Sequence, residues 1–404
     1  MKKAFFGSRL AAMATTALVG LGCAVPAHAE VTAYAGNNLI PSIQVYLRVD
    51  AGLQLVTNVN NQLYGNKNGK TTVFGGGGNS WGTSMFGVTG ALPLTTDTKA
   101  IYKVESGFNT NDGSFNGGKS QVFNRRAYVG LSDDRFGSLV VGKDLFIDND
   151  IWAWDPMVQE TTSTATLVEG RNWPIVNDMI EYRSPSTYAL KLGLQASFDP
   201  GANKDSKTSI TTTSTHLSNA AGASLQYTLG NLNVLGVYDV MRGQNGYTNL
   251  YTASKEAIVA ATYNFNPVEV FVGYENLSAP QGSKAAGGTA VNDSTVIGGN
   301  NTNTATSVYA TKANMAWLGA AWTVTPKITI RGAWYYTKVN DGVGHANLVT
   351  VGTEYYFRPN MFWYATVGEV MNNGATQFGV TTQSTPPAAG KNQFTGYSGF
   401  SIAF

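Results

Sequence analysis

From Ser42 to Leu55 the chain reads "SIQVYLRVDAGLQL", and hydrophobicity alternates through the whole stretch. Ile43, Val45, Leu47, Val49, Ala51, Leu53 and Leu55 share one parity. Gln44, Tyr46, Arg48, Asp50, Gly52 and Gln54 share the other. In an extended chain these parities are opposite faces, one wholly apolar and one carrying an arginine and an aspartate. The pattern recurs. Tyr188 to Phe198 sets Tyr188, Leu190, Leu192, Leu194, Ala196 and Phe198 against Lys191, Gly193, Gln195 and Ser197. Lys327 to Tyr336 sets Ile328, Ile330, Trp334 and Tyr336 against Lys327, Thr329, Arg331 and Tyr335, and Val268 to Glu275 opposes valines and Tyr274 to Glu269, Phe271, Gly273 and Glu275.

Connections between such segments fall into two classes. Tight turns occur at "LPLTTDT", "SDDRFG", "RSPS", Gly230-Asn231, Asn266-Pro267, Thr325-Pro326 and "RPN" (358–360). Between them lie longer stretches rich in Gly, Asn, Ser and Thr, at 58–79, 110–119, 144–176, 199–218, 242–256, 279–309, 339–345 and 371–391. Seven turns and eight loops connect sixteen strands. Short turns at one end and long loops at the other are the signature of a transmembrane β-barrel. The chain also ends on an alternating strand, "NQFTGYSGFSIAF", as a barrel that pairs its last strand with its first requires. A secreted β-sandwich also alternates, but this length would divide it into domains with linkers, and none is visible. The fold class expected is all-β, a sixteen-stranded antiparallel barrel forming one domain over 30–404.

Composition agrees with export into a membrane. Only 13% of residues are charged, against about a quarter in average soluble domains, and 46 glycines and 20 tyrosines are present. No apolar run after residue 29 approaches a spanning helix, and a closed barrel is the other structure that satisfies its backbone in lipid. Residues 1–29 read as a secretory signal peptide, with Lys2, Lys3 and Arg9 ahead of an apolar stretch and "AHA" before cleavage after Ala29. The one cysteine, Cys23, falls inside it, so no disulfide is expected. Removing those three basic residues takes the formal charge from +2 to −1, which leaves no electrostatic case for nucleic acid.

Catalytic and cofactor signals are absent. His216 and His345 both fall in predicted loops, and no triad, metal-ligand spacing or nucleotide motif is present. "GGGGNSWG" (75–82) is not followed by a helix that would cradle phosphate and reads as an extracellular loop. A barrel hydrolase would need an acid–base group that cannot be placed. A substrate-specific channel would need a row of lumen aromatics, and Tyr46, Phe271 and Tyr335 are scattered. No enzyme activity, metal or cofactor is expected.

Five stretches, "YLRVDAG" (46–52), "MFGVTG" (85–90), "KAIYKVESGFN" (99–109), "FNRRAYVGLSDDRFGSLVVGK" (123–143) and "NDMIEYRSP" (177–185), resemble the general diffusion porins of Gram-negative outer membranes, especially the trimeric proteobacterial type. The similarity spans most of the chain after residue 29, and residues 80–199 carry it most densely. The resemblance implies a homotrimer in outer-membrane lipid including lipopolysaccharide, with Phe404 presented to the outer-membrane assembly machinery. It implies that the third long loop, 144–176, folds inward and narrows a water-filled pore, its acidic residues facing a basic wall.

By matching positions, Arg48, Arg125, Lys143 and Arg183 resemble members of that wall, with Arg331 a further member; Lys143 stands where the family carries arginine. At Arg125 alternation and resemblance conflict, because Ala127, Val129 and Leu131 point outward and would take Arg125 with them, leaving Arg126 inside. The family pattern favours Arg125, and both are kept. The loop carries Asp144, Asp148, Asp150, Asp155, Glu160 and Glu169 against one basic residue, Arg171. Asp148, Asp150 and Asp155 are the acids expected at the constriction, and Asp50, Lys103, Glu105 and Glu181 are expected as other lumen charges. Met85 and Thr89 stand where comparable porins carry basic residues. The acidic excess with these missing charges predicts a weakly cation-preferring pore for small hydrophilic solutes. Residues 30–41 have no recognised counterpart.

Overall fold

The computed structural model describes residues 30–34, 41–60, 70–116, 121–185, 189–198, 217–243, 250–251, 253–279, 310–340 and 342–404. The signal-peptide stretch 1–29, His216 and most of the predicted loops 199–218 and 279–309 lie outside the described residues.

Eighteen strands form one sheet. The first half comprises β1 (Glu30–Tyr34), β2 (Ser42–Asn60), β3 (Lys70–Gly76), β4 (Ser84–Pro93), β5 (Thr98–Phe108), β6 (Arg126–Asp133), β7 (Gly137–Leu145), β8 (Ile175–Arg183) and β9 (Leu190–Ser197). The second comprises β10 (Leu217–Leu229), β11 (Leu232–Gly243), β12 (Lys255–Asn264), β13 (Val268–Ser278), β14 (Lys312–Thr325), β15 (Ile328–Val339), β16 (Gly344–Arg358), β17 (Met361–Gly374) and β18 (Gln393–Ala403). Every pairing is antiparallel, and β18 closes on β2 from Thr395↔Val56 to Ala403↔Arg48. β3 and β4 pair with two parts of β2, so they share one stave. With β1 an addition on Ile43–Tyr46, the closed ring is a sixteen-stranded antiparallel barrel. Two details differ from the sequence reading. The predicted loop 58–79 contains β3, and part of 30–41 is β1.

Alternation sets the faces as expected. Ile43, Val45, Leu53, Leu190, Leu192, Leu194, Val272 and Trp334 are exposed, while Tyr46, Arg48, Asp50, Phe271, Glu275 and Tyr335 are buried. A barrel places its apolar parity outward toward lipid and its polar parity toward the interior. The two-residue connection at Gly230-Asn231 turns on Gly230 at φ +58°, a conformation glycine adopts without a Cβ penalty.

Residues 146–174, between β7 and β8, leave the wall. They contain a 3₁₀ helix, Ile147–Trp154, and one α-helical turn, Thr164–Leu167. Phe146, Ile147, Ile151, Met157, Leu167 and Val168 pack in one buried cluster with inward side chains of the later strands, among them Leu235, Val237, Ile258, Met315, Trp317 and Leu348. The loop therefore lies on the inner face of the β10–β17 wall, anchored by apolar burial. Its ladder-free backbone is satisfied locally and by the wall, as where Trp317 Nε1 donates to the Trp154 carbonyl at 3.1 Å.

Candidate functional site

The inner face of β2 and β4–β8 is charged. Glu105 on β5 stands opposite Arg126 on β6 in register. Arg125 precedes β6, so strand parity does not govern it, and its Nε donates to Glu105 Oε1 at 2.8 Å. Arg126 Nε lies 3.4 Å from the same oxygen and its Nη1 3.2 Å from Asp144 Oδ1. Both arginines point inward, which resolves the conflict between alternation and resemblance in favour of neither alone. Tyr46 donates its hydroxyl to Glu105 Oε2 at 2.7 Å, and Lys103 Nζ lies 4.7 Å from the Tyr46 ring centroid. Lys143 sits where the β7–β8 register slips between Gly142 and Asp144, and its Nζ reaches Asn177 Oδ1 at 3.0 Å.

Arg48 is buried rather than open to the lumen. Its Nε donates to the Thr83 carbonyl at 2.8 Å and its Nη2 to Gln159 Oε1 of the third loop at 3.0 Å, with Trp81 beside it. This burial traces to "GGGGNSWG", which folds inward instead of forming an extracellular loop. Gly77 N and Asn79 N donate to the carbonyls of Gly52 and Asp50, and Trp81 Nε1 donates to Glu354 Oε1 at 2.9 Å. A Cβ at Gly82 would lie 3.0 Å from Arg48 Nη2, so glycine makes room for the guanidinium. Asp50 is covered by the same segment and accepts the Tyr364 hydroxyl at 3.0 Å. Arg331 Nε pairs with Glu354 Oε1 at 3.2 Å and its Nη1 donates to the Pro156 carbonyl of the loop.

The three loop aspartates part ways. Asp150 accepts from Arg183 Nη1 at 2.5 Å and from Ser224 Oγ at 2.8 Å, while Arg183 Nε pairs with Glu181 Oε1 at 2.7 Å. Asp148 and Asp155 are fully buried, contrary to their expected place at an open constriction. Asp155 accepts the Tyr335 hydroxyl and the backbone amides of Met157 and Thr164, and burial holds its carboxyl above the ordinary range. Asp148 lies under the loop in a cluster that the sequence reading did not assemble. Arg171 Nη1 reaches Asp148 Oδ2 at 3.0 Å and Glu256 Oε2 at 3.1 Å, and its Nη2 reaches Asp239 Oδ1 at 2.5 Å. Burial first, then the Asp239 and Glu256 carboxylates, push the Asp148 carboxyl well up. Parity marks Asp239, Glu256 and Glu275 as inward-facing, but only the loop's return shows that Arg171 comes to them. At the C-terminus, Phe404 N donates to the Leu47 carbonyl at 2.8 Å and the ring is half exposed.

A closed sixteen-stranded barrel with an apolar exterior, a charged interior and a loop laid along one inner wall defines an outer-membrane channel. The chain matches the Gram-negative porin family over residues 14–375, and it belongs to that family. It is therefore a non-enzymatic outer-membrane porin. An outer membrane porin protein of Bordetella pertussis is 23% identical over 297 residues, covering 70% of this chain and 75% of that protein. Among solved structures, the anion-selective porin from Comamonas acidovorans superposes with a TM-score of 0.69 at 18% identity, over 90% of this chain and 100% of that one. OmpT of Vibrio cholerae in a trimer form superposes at 0.58 with 14% identity, over 90% of this chain and 99% of that one.

Proposed function

We propose that the chain forms a water-filled pore for passive diffusion of ions and small hydrophilic solutes, narrowed by residues 146–174 and modestly anion-preferring. One observation carries the sign. Arg125, Arg126 and Arg183 keep 17%, 26% and 31% of their side-chain surface exposed, against 3% for Glu105, 9% for Asp144, 9% for Glu181 and 17% for Asp150. Cations thus stand nearer the water than the carboxylates that balance them. The cation preference suggested by counting loop carboxylates loses its ground, because Asp148 and Asp155 are buried and hydrogen-bonded. Charges in a narrow aqueous passage with low-dielectric walls act strongly on permeating ions. The similarly folded porin from Comamonas acidovorans is anion-selective, which supports the same sign.

The working form in this reading is a homotrimer, inserted after removal of residues 1–29 and recognised for assembly through the strand ending at Phe404. Trimeric assembly is typical of the family, and the Vibrio trimer form is consistent with it. The test is a planar-bilayer recording under a KCl gradient. A reversal potential toward the chloride equilibrium value is expected, weakening in 1 M salt where the Debye length is about 3 Å. A strongly cation-selective pore would refute the assignment. A single folded monomer band on an unheated denaturing gel would refute the trimer.

A further inference from the structure

A row of basic side chains runs along the outer face of β11–β16 at the long-loop end. The inward positions there are Met241, Glu256, Leu277, Ala313, Thr337 and Ala346, all buried. Their neighbours Arg242, Lys255, Lys312, Lys338 and His345 therefore turn outward, and the arginine and the three lysines are exposed. Register sets the spacing. Lys255 and Lys312 both stand opposite Ser278, and with strands about 4.8 Å apart they are separated by roughly 10 Å. Lys338 stands opposite Asn314, the next outward residue after Lys312, and His345 is its partner on β16. None of the three lysines joins an ion pair among the described residues. The outward carboxylate of β17, Glu369, is level with Val349, four residues along β16 from His345, and accepts from Asn392. Like charges on neighbouring strands repel, so this row is unfavourable without an anion. It is also local to one side of the barrel, since β4–β9 present Phe86, Val141, Asp178 and Phe198 at the same end.

Two further observations point to the anion. Aromatic side chains lie on the membrane side of the row, with Tyr238, Tyr274 and Trp334 exposed, and beyond them the same strands expose Val259, Val272, Leu318 and Val351. An aromatic girdle marks the level where the apolar band of a barrel meets lipid headgroups, so the row stands at headgroup height. The amides between the lysines are also oriented as donors. The Tyr274 hydroxyl donates to Asn314 Oδ1 at 2.6 Å, as does Asn276 Nδ2 at 2.8 Å, and Trp334 Nε1 donates to Asn347 Oδ1 at 3.0 Å. Both amide oxygens are thus taken, and the amide nitrogens of Asn314 and Asn347 have no acceptor among the described residues. Lysine is likewise a donor without acceptor capacity. The arc presents positive charge and N–H groups together, at the one depth where anionic headgroups are concentrated.

We propose that Lys255, Lys312, Lys338 and Asn314, flanked by Arg242 and His345, bind the phosphate groups of a phosphorylated outer-leaflet lipid. The donor set selects phosphate, whose several oxygens accept from ammonium and amide groups at once, with charge-assisted hydrogen bonds the strongest of them. The position selects a lipid over a free phosphate. Acyl chains of a lipid held at the row lie along Val259, Val272 and Leu318, and that contact adds apolar burial that an inorganic ion lacks. The site belongs to the outer wall, so it needs only the outer-membrane placement of the barrel and is independent of the pore's ion preference.

The test titrates bisphosphorylated lipid A into protein purified from outer membranes and stripped of lipid in detergent, with bound lipid counted by native mass spectrometry. Wild type is compared with K312Q/K338Q and with K327Q/R358Q, which removes two exposed charges at the short-turn end. Folding is checked by the heat-dependent gel shift. Wild type and K327Q/R358Q should bind alike, and K312Q/K338Q should bind about tenfold more weakly or worse. Equal binding by all three, or equal loss in both double variants, overturns the proposal. Two arms on wild type alone keep the test decisive if K312Q/K338Q does not fold. Enzymatically dephosphorylated lipid A should bind as weakly as that variant is expected to, and binding as tight as the phosphorylated form overturns a phosphate site. Millimolar inorganic phosphate should leave lipid A bound, and its displacement would show a free-phosphate site, which overturns the assignment to lipid.

Discussion

Arg183 Nη1 lies 2.5 Å from Asp150 Oδ2, so one ion pair ties strand β8 to the 3₁₀ helix of the third loop. A Cβ at Gly193 on β9 would lie 3.0 Å from that Arg183 nitrogen and 2.6 Å from Ser224 Oγ, which donates to the same carboxylate. The bare strand position leaves space for both partners to converge. The pair is partly open to water on both sides, which places it within reach of the permeating ions.

Neutralising either member should move selectivity in opposite directions. D150N leaves Arg183 less compensated and should shift the permeability ratio toward anions by about twofold at low salt, while R183Q should shift it toward cations. Reversal potentials of single variants under a KCl gradient measure both. Shifts of the same sign in the two variants would show that loop displacement, not local charge, controls selectivity.

Removing Arg171 should be the most damaging single change in the interior. R171M strips the guanidinium from three buried carboxylates, and breaking a buried ion pair this way costs about 3–5 kcal/mol. Urea denaturation of the detergent-solubilised barrel should show a lower midpoint, and the third loop should become a protease target before the wall unfolds. An unchanged midpoint would mean that the carboxylates are neutralised without the arginine.

Gly273 on β13 supports the loop through Trp317. A Cβ there would fall 2.0 Å from the Trp317 indole, whose Nε1 holds the Trp154 carbonyl. G273A should therefore displace the indole and cost about 1–3 kcal/mol, the usual range for overpacking. The expected readout is a lower unfolding temperature with faster proteolysis near Trp154. Wild-type behaviour on both counts would show that Trp317 has room to move.

Glu160 makes the third loop sensitive to alkali. Burial, and then the nearby Glu354 carboxylate, raise its carboxyl to about 8, although the Tyr397 and Thr366 hydroxyls and Arg331 favour its charged form. A carboxyl that binds its proton more tightly when folded gives stability present at low pH and lost as pH rises from its ordinary value of 4.5 through about 8. Unfolding temperature should fall across that window in wild type, and E160Q should flatten the slope. Equal slopes in the two proteins would count against the burial argument.

The membrane-facing and inward-facing parities of Ser42–Leu55 were legible because a strand's side chains alternate whatever surrounds them. The same holds for the seven tight turns, whose Gly, Pro, Asn and Asp residues act through local backbone geometry. Arg125 was ambiguous for a related reason. Parity applies only inside a strand, and β6 begins one residue later, at Arg126. "GGGGNSWG" was misplaced because glycine content reports freedom of the backbone and carries no information on which side of the wall the chain will fold.

Alternation, turn chemistry and the lack of a helical span determined by themselves that this chain closes into a barrel and which faces of it meet lipid. Only the tertiary structure decided which charges remain near water. Asp148 and Asp155 look like pore residues in a loop of six acids, yet one is covered with Arg171, Asp239 and Glu256 and the other with Tyr335. Those partners stand as far as 180 residues away in the chain. A local pattern records the period of a strand. The exposure of a charge depends on where a returning loop comes to rest, and that is set by apolar packing against strands made later in the chain.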